Sequence, residues 1–115
     1  MNRRISLRKI TIATLALLIL LALPTYLQAE LLYTSDGISI AITGSNPKAT
    51  GTLFIPETIN GLPVTSIGQD AFYGCSGLTN VTISTSVMSI ADRAFAHCTG
   101  LTSVKIPNSV TSIGQ

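Results

Sequence analysis

The sequence predicts a mainly β fold: a small solenoid with coils of about 23 residues, closed at its amino-terminal end by a capping β-hairpin. Three observations predict it. First, the chain repeats itself, since laying residues 67 to 92 on 90 to 115 gives 13 identical positions of 26, and self-similarity at a period in the twenties marks a stacked coil. Second, apolar letters inside each copy alternate with polar ones, the period of two of a strand with one buried face. Third, prolines and glycines punctuate these short runs at places where a coil must turn.

In chain order, the first element is a leader. Arg3, Arg4, Arg8 and Lys9 precede the uninterrupted apolar stretch ITIATLALLILLAL, Ile10 to Leu23, which Pro24 ends. A basic start, an apolar run of this length and a breaking proline describe a secretory signal peptide over residues 1–29, with cleavage after Ala29. Leu27 is bulkier than the small residue preferred three positions back, so a membrane anchor over residues 10–23 stays open as the alternative, although the run is short of the roughly 20 apolar residues a spanning helix needs. Beyond the leader, Lys48, Arg93 and Lys105 face Glu30, Asp36, Glu57, Asp70 and Asp92, a formal charge of −2. The basic character of the whole chain therefore belongs to the leader, and nucleic acid is excluded as an expected partner.

Residues 30–52 are assigned to the cap. ISIAIT, residues 38–43, places Ile38, Ile40 and Ile42 on one face, and with the turn GSNPKAT and the strand GTLFI it predicts a hairpin. Residues 53–115 are the repeats. The first copy, from Leu53, aligns with later ones once five residues around Asn60-Gly61-Leu62-Pro63 are looped out at a strong turn signal. The regular copies read AFxxCxGLTxVxIxxSVxSI. In LTSVKIP the inward positions are Leu101, Val104 and Ile106, with Lys105 outward as Thr82 is one coil earlier, and Pro107 ends the strand because it has no N–H to donate. Val110 and Ile113 look inward like Val87 and Ile90. DRAFAHC is too short for a full helix, so it predicts a single helical or 3₁₀ turn that brings Phe95 onto the core. Gly77 and Gly100 supply the turn into the next strand. The last copy is incomplete at Gln115, which predicts a frayed final coil and self-association through its open strand edges.

The run IPETINGLPVTSIGQDAFYGCSGLTNVTISTSVMSIADRAFAHCTGLTSVKIPNSVTSIG resembles the BspA-type bacterial leucine-rich repeat. The shared letters are phenylalanine after alanine, cysteine three residues on, leucine beyond it, and IP closing the strand. The resemblance covers residues 33 to 115 and departs from the pattern at Ser84, where proline is usual, and at Ala91, where glycine is usual. It implies a right-handed parallel solenoid, secreted or at the surface of a bacterium or similar microbe, with a role in adhesion.

Candidate chemistry is sparse. Cys75 and Cys98 are one repeat apart and stack roughly 4.8 Å from each other, which leaves two readings open, a buried cysteine ladder or a disulfide. His97 adjoins Cys98 but falls in the slot occupied by Gly74 one coil earlier, so it reads as a surface residue and not as half of a Cys-His pair. There is no second histidine or C-x-x-C for zinc, and no ligand set for calcium. No cofactor or metal is expected, and no enzyme. The candidate binding face is the polar surface of the coil, with Thr82, Lys105, Ser89, Ser112 and His97 as its residues. The expected function is a non-catalytic extracellular module binding a protein or glycan; the alternative is a structural spacer or a piece of a longer array. Membrane association is expected only through an uncleaved leader.

Overall fold

The computed structural model describes residues 2–4, as backbone, and residues 29–115. The apolar run 10–23, on which the leader and the anchor alternative both rest, lies outside the described residues. The strands are β1 (Asn2–Arg4), β2 (Glu30–Ser35), β3 (Ile40–Asn46), β4 (Gly51–Ile55), β5 (Thr58–Ile59), β6 (Leu62–Ile67), β7 (Leu78–Ile83), β8 (Ser89–Ile90), β9 (Ser103–Lys105) and β10 (Ser112–Ile113). One sheet runs β1-β2-β3-β6-β8-β10 with β5 beside β6, and a second runs β4-β7-β9. Successive coils place one strand in each sheet. The core fills the space between, with Val64, Ile67 and Ile90 of the first sheet, Val87 just before β8, and Leu53, Ile55, Val81 and Ile83 of the second all buried in one cluster.

The stacking follows the 23-residue period. Ser66, Ser89 and Ser112 are register partners in parallel strands, as are Asn80 with Ser103 and Thr82 with Lys105. In the less regular first copy Leu53 pairs with Val81 and Ile55 with Ile83, an offset of 28, which is the period lengthened by the five looped-out residues. Those residues form a hairpin of their own, in which Thr58 pairs with Pro63 and Ile59 with Leu62. Asn60 and Gly61 at its tip have φ of 52° and 79°, the left-handed pair that a two-residue hairpin turn demands. Asn60 Nδ2 donates to the hydroxyl of the buried Tyr33 at 2.9 Å, fixing this hairpin to β2.

The hairpin expected between ISIAIT and GTLFI does not form. Leu53 and Ile55 carry the inward period of the repeat, so β4 joins the second sheet in parallel with β7. The antiparallel hairpin lies one element earlier, between β2 and β3, while β3 itself pairs in parallel with β6. Together β3 and β4 make the first coil, and β2 is the strand that covers it. Of the three isoleucines, Ile40 and Ile42 are buried but Ile38 is 76% exposed. Ile38 belongs to the turn, where Asp36 Oδ1 accepts the N–H groups of Ser39 (2.7 Å) and Ile38 (2.8 Å). Those two donors hold the Asp36 carboxyl below its ordinary value. On the far side of β2, Arg3 of β1 pairs with Tyr33.

The expected helical turn in DRAFAHC is also corrected. The N–H groups of Ala94, Ala96 and Cys98 bond back three residues, at 3.3, 3.1 and 3.4 Å, as those of Ala71, Tyr73 and Cys75 do. The alternate N–H groups of Asp70, Phe72 and Gly74 instead bond the carbonyls of Asp92, Ala94 and Ala96 in the next coil, at 3.1, 2.7 and 2.8 Å. Left-handed residues break any helix: Arg93 and His97 have φ of 55° and 59°, matching 56° at Asp70 and 70° at Gly74. The corner is thus a pair of consecutive tight turns whose free backbone groups serve as a ladder between coils. It still brings the phenylalanines inward, with Phe72 and Phe95 stacked at 5.3 Å between centroids.

Gly77 and Gly100 share a column, and close approach is what requires glycine there. A Cβ at Gly100 would stand 2.6 Å from the backbone oxygen of Ser76, and one at Gly77 would stand 2.9 Å from Cγ2 of Thr50.

In the last coil the predicted inward residues are only partly covered. Leu101 and Val110 are half-buried, while Val104, Ile106 and Ile113 are 38%, 45% and 59% exposed. Their counterparts Leu78, Val87, Val81, Ile83 and Ile90 are all buried. An inward residue in a stacked coil is covered from both sides, and among the described residues these have a coil on their amino-terminal side only.

Candidate functional site

The outward face of the second sheet is built by the same alternation that fills the core. Leu53, Val81 and Ile83 turn inward, so the residues between them turn outward and stack in register. Thr52, Asn80 and Ser103 form one exposed column, and Phe54, Thr82 and Lys105 form the next. A shallow groove of about 490 Å³ runs beside the second column at the carboxy-terminal ends of the strands. Phe54, Thr82 and Lys105 line it, with Pro56, Glu57 and Pro107 from the segments that follow β4 and β9. Phe54 is 59% exposed, a large ring left in solvent by strand parity.

The proposed binding residues do not share one surface. Thr82 and Lys105 come together on the groove. Ser89 and Ser112 stack with Ser66 on the first sheet, on the other side of the core. His97 stands at the corner between the sheets, its exposed ring 5.0 Å from that of Tyr73 in an edge-on contact. Its backbone explains the slot: the position is left-handed in both copies, which suits Gly74 without cost and admits histidine.

Many of the hydroxyls bind the coils to one another. Thr79 Oγ1 donates to the Gly51 carbonyl at 3.0 Å and Thr102 Oγ1 to the Thr79 carbonyl at 3.1 Å. Ser84 Oγ donates to the Pro56 carbonyl at 3.0 Å, and Ser109 Oγ to the Val87 carbonyl at 2.7 Å. Thr85 Oγ1 donates to Glu57 Oε1 at 2.9 Å. These groups already have partners and contribute order to the stack before any ligand arrives.

Cys75 and Cys98 are both free thiols in the structure, Cys75 buried and Cys98 partly so. Cys98 Sγ donates to the Phe72 carbonyl of the coil before it at 3.1 Å. Burial pushes the Cys98 thiol up from its ordinary value, the opposite of what activates a nucleophile. Asp70 and Arg93, which occupy equivalent slots, form a two-pronged ion pair, with Nε 2.9 Å from Oδ1 and Arg93 donating to Oδ2 at 3.0 Å. Asp92 Oδ1 accepts the Gln115 N–H at 3.1 Å. Among the described residues no group of three or more His, Cys, Asp or Glu side chains gathers to hold a metal ion.

Sequence reading missed Phe54. The alternation in GTLFI was the available signal, since it places Phe54 outward between two inward residues, in the column of Thr82 and Lys105.

Comparison with known proteins bears on the coil more than on the groove. Residues 53–115 match the sequence pattern described as the BspA type Leucine rich repeat region, in 6 copies. A leucine-rich repeat protein of T. pallidum, known from its crystal structure, is similar at 36% identity over 70% of this chain, with a TM-score of 0.65. One from Bacteroides capillosus is similar at 29% identity over 78% of the chain, TM-score 0.63. One from Bacteroides ovatus shares the fold, at 21% identity over 79% of the chain and TM-score 0.52. The chain spans 38% of the first of these structures, 69% of the second and 31% of the third. Nothing matches among curated proteins.

Proposed function

Since the chain belongs to the BspA-type leucine-rich repeat family, whose repeats generally serve protein interaction, we propose that it is a non-catalytic binding module working outside the cell, at a microbial surface. The observation that carries this reading is the groove along Phe54, Thr82 and Lys105, where an exposed ring, a hydroxyl and a cation are held in register by three parallel strands. Rigid stacked coils suit recognition because their outward columns are positioned before the ligand binds. Export is supported by the basic start and the apolar run of the leader. The non-catalytic reading is supported by a Cys98 thiol engaged with a carbonyl and a His97 ring lying against Tyr73. The ligand is a protein or a glycan met outside the cell.

The test is binding to arrays of extracellular proteins and glycans. Wild-type chain is compared with Thr82→Glu, which sets a bulkier carboxylate in the groove beside Lys105, and with Ser89→Glu on the opposite sheet. The reading predicts a ligand lost in the first variant and kept in the second. Equal binding by both variants, or no ligand at all, would overturn it.

A second reading is favoured by the exposure of Val104, Ile106 and Ile113. In it the chain is a spacer within a longer stack, whose next coil covers these residues. Adding one consensus coil after Gln115 tests this: a spacer gains stability and still binds nothing on the arrays, whereas a binding module keeps its ligand with or without the added coil.

A further inference from the structure

We propose that the groove takes an acidic oligosaccharide, with one sugar ring packed on Phe54 and a sugar carboxylate drawn to Lys105; this rests on the reading of the second sheet's outward face as the binding face. The charges point to the acid. Of the three cations beyond the leader, Arg93 is engaged by Asp70, and Lys48 Nζ donates to the carbonyls of Tyr73 and Gly74 at 3.3 and 3.4 Å. Lys105 makes no ion pair or hydrogen bond among the described residues, and it stands on the groove. The groove is also polarised. Glu57 follows β4, its carboxylate tied to Thr85 at 2.9 Å, and Lys105 lies in β9, two strands across. An anionic group is therefore directed away from Glu57 and toward Lys105.

The dimensions and the chemistry of the floor point to sugar. Two strand spacings, about 9.6 Å, separate the Phe54 and Lys105 positions, the reach of two linked sugar rings. The apolar C–H face of a sugar ring packs on an aromatic ring, and Phe54 offers one in solvent at strand spacing from Thr82. Beside this column, Thr52, Asn80 and Ser103 present short polar groups at the same spacing. A ligand that carries hydroxyls along its whole length meets hydrogen-bonding partners on every strand. A peptide of acidic residues would offer carboxylates to Lys105 but no ring face to lay on Phe54.

The test titrates tetragalacturonate, the neutral cellotetraose and a tetraglutamate peptide into protein expressed from the full 115-residue sequence, followed by amide shifts in NMR. The expected result is binding of the acidic sugar alone, with shifts centred on Phe54, Thr82 and Lys105. Lys105→Gln should weaken it about fivefold and remove most of its salt dependence. Phe54→Ala should weaken it about tenfold. Both side chains are exposed, so an unchanged spectrum elsewhere verifies that each variant is folded. Equal binding of cellotetraose, unaffected by Lys105→Gln, would overturn the acidic ligand while leaving a glycan-binding face in place. Binding of tetraglutamate alone would overturn the sugar and keep the face as a protein-binding one. No shift with any of the three would also overturn the proposal, whereas the array comparison of Thr82→Glu with Ser89→Glu judges the face itself.

Discussion

The two ends of the stack carry the same kinds of residue and bury them differently. At the amino-terminal end β2 crosses β3 in antiparallel fashion, with Leu31 and Tyr33 buried, and beneath it Ile40 and Ile42 lose nearly all contact with water. At the carboxy-terminal end Ile113 repeats Ile90 and Ile106 repeats Ile83, yet the later member of each pair is about half exposed and the earlier one is buried. The repeat letter thus fixes which way a side chain points. Whether it is buried depends on the coil next to it. Stability in such a molecule resides in the interfaces between coils as much as within any coil.

Substitutions along a single column sharpen this contrast, and the largest effect belongs to the phenylalanine column. Phe72 is fully buried and stacked on Phe95, so Phe72→Ala should cost about 3–5 kcal/mol, a large part of the stability of a domain this size. Phe95→Ala, at the half-buried next position, should cost clearly less. Urea unfolding measures both, and equal losses would break the comparison.

The isoleucine column should show the same asymmetry on a smaller scale. Ile83→Ala is expected to cost about 2–4 kcal/mol and Ile106→Ala under about 1 kcal/mol. Thermal unfolding separates them readily, since each kcal/mol moves the midpoint by about 4–8 °C in a domain of this length.

The glycine column separates backbone from side-chain crowding. A methyl at Gly100 meets the Ser76 carbonyl, which cannot move without shifting the coil. Gly100→Ala should cost about 1–3 kcal/mol and loosen the last turn first. At Gly77 the nearest atom belongs to the Thr50 side chain, so Gly77→Ala should cost less. Urea midpoints of the two variants check the order.

The cysteines give the smallest and most local comparison. Cys75 is covered by the following coil and Cys98 only in part. In native protein at pH 8, Cys98 should react with iodoacetamide more slowly than an unperturbed thiol, because burial raises its pKa and leaves less thiolate. Its rate should rise as the pH is raised past the ordinary thiol value. Cys75 should react only on unfolding, and peptide mass spectrometry reads both sites.

Much of this molecule was legible in its sequence, for reasons these columns make plain. A 23-residue repeat with alternating apolar letters admits one register, and the observed partners Ser66, Ser89 and Ser112 are the ones the alignment pairs. The Asn60-Gly61 turn was equally plain, because its backbone conformation selects those residues. What escaped was the pairing inside the cap. GTLFI is expected both as the strand of the first repeat, from Leu53, and as a strand of the cap hairpin, and its register with β7 keeps only the first. The corner escaped as well, since left-handed positions at Asp70, Arg93 and His97 carry no glycine to announce them. For the binding face, the sequence supplied the columns of Thr82 with Lys105 and of Ser89 with Ser112. Placing them on opposite sheets required the path of the chain.

One backbone bond recurs through successive coils and tests the contrast between the ends most directly. The N–H groups of Gly68, Ala91 and Gly114 bond the carbonyls of Ile42, Ile67 and Ile90 at 2.7, 2.9 and 2.8 Å. Hydrogen exchange at these three amides compares the same bond beneath the cap, in the middle and at the open end. If coil-to-coil burial governs stability, Gly68 and Ala91 exchange only by global unfolding and Gly114 exchanges faster by orders of magnitude through local opening. Equal protection at all three would contradict that account.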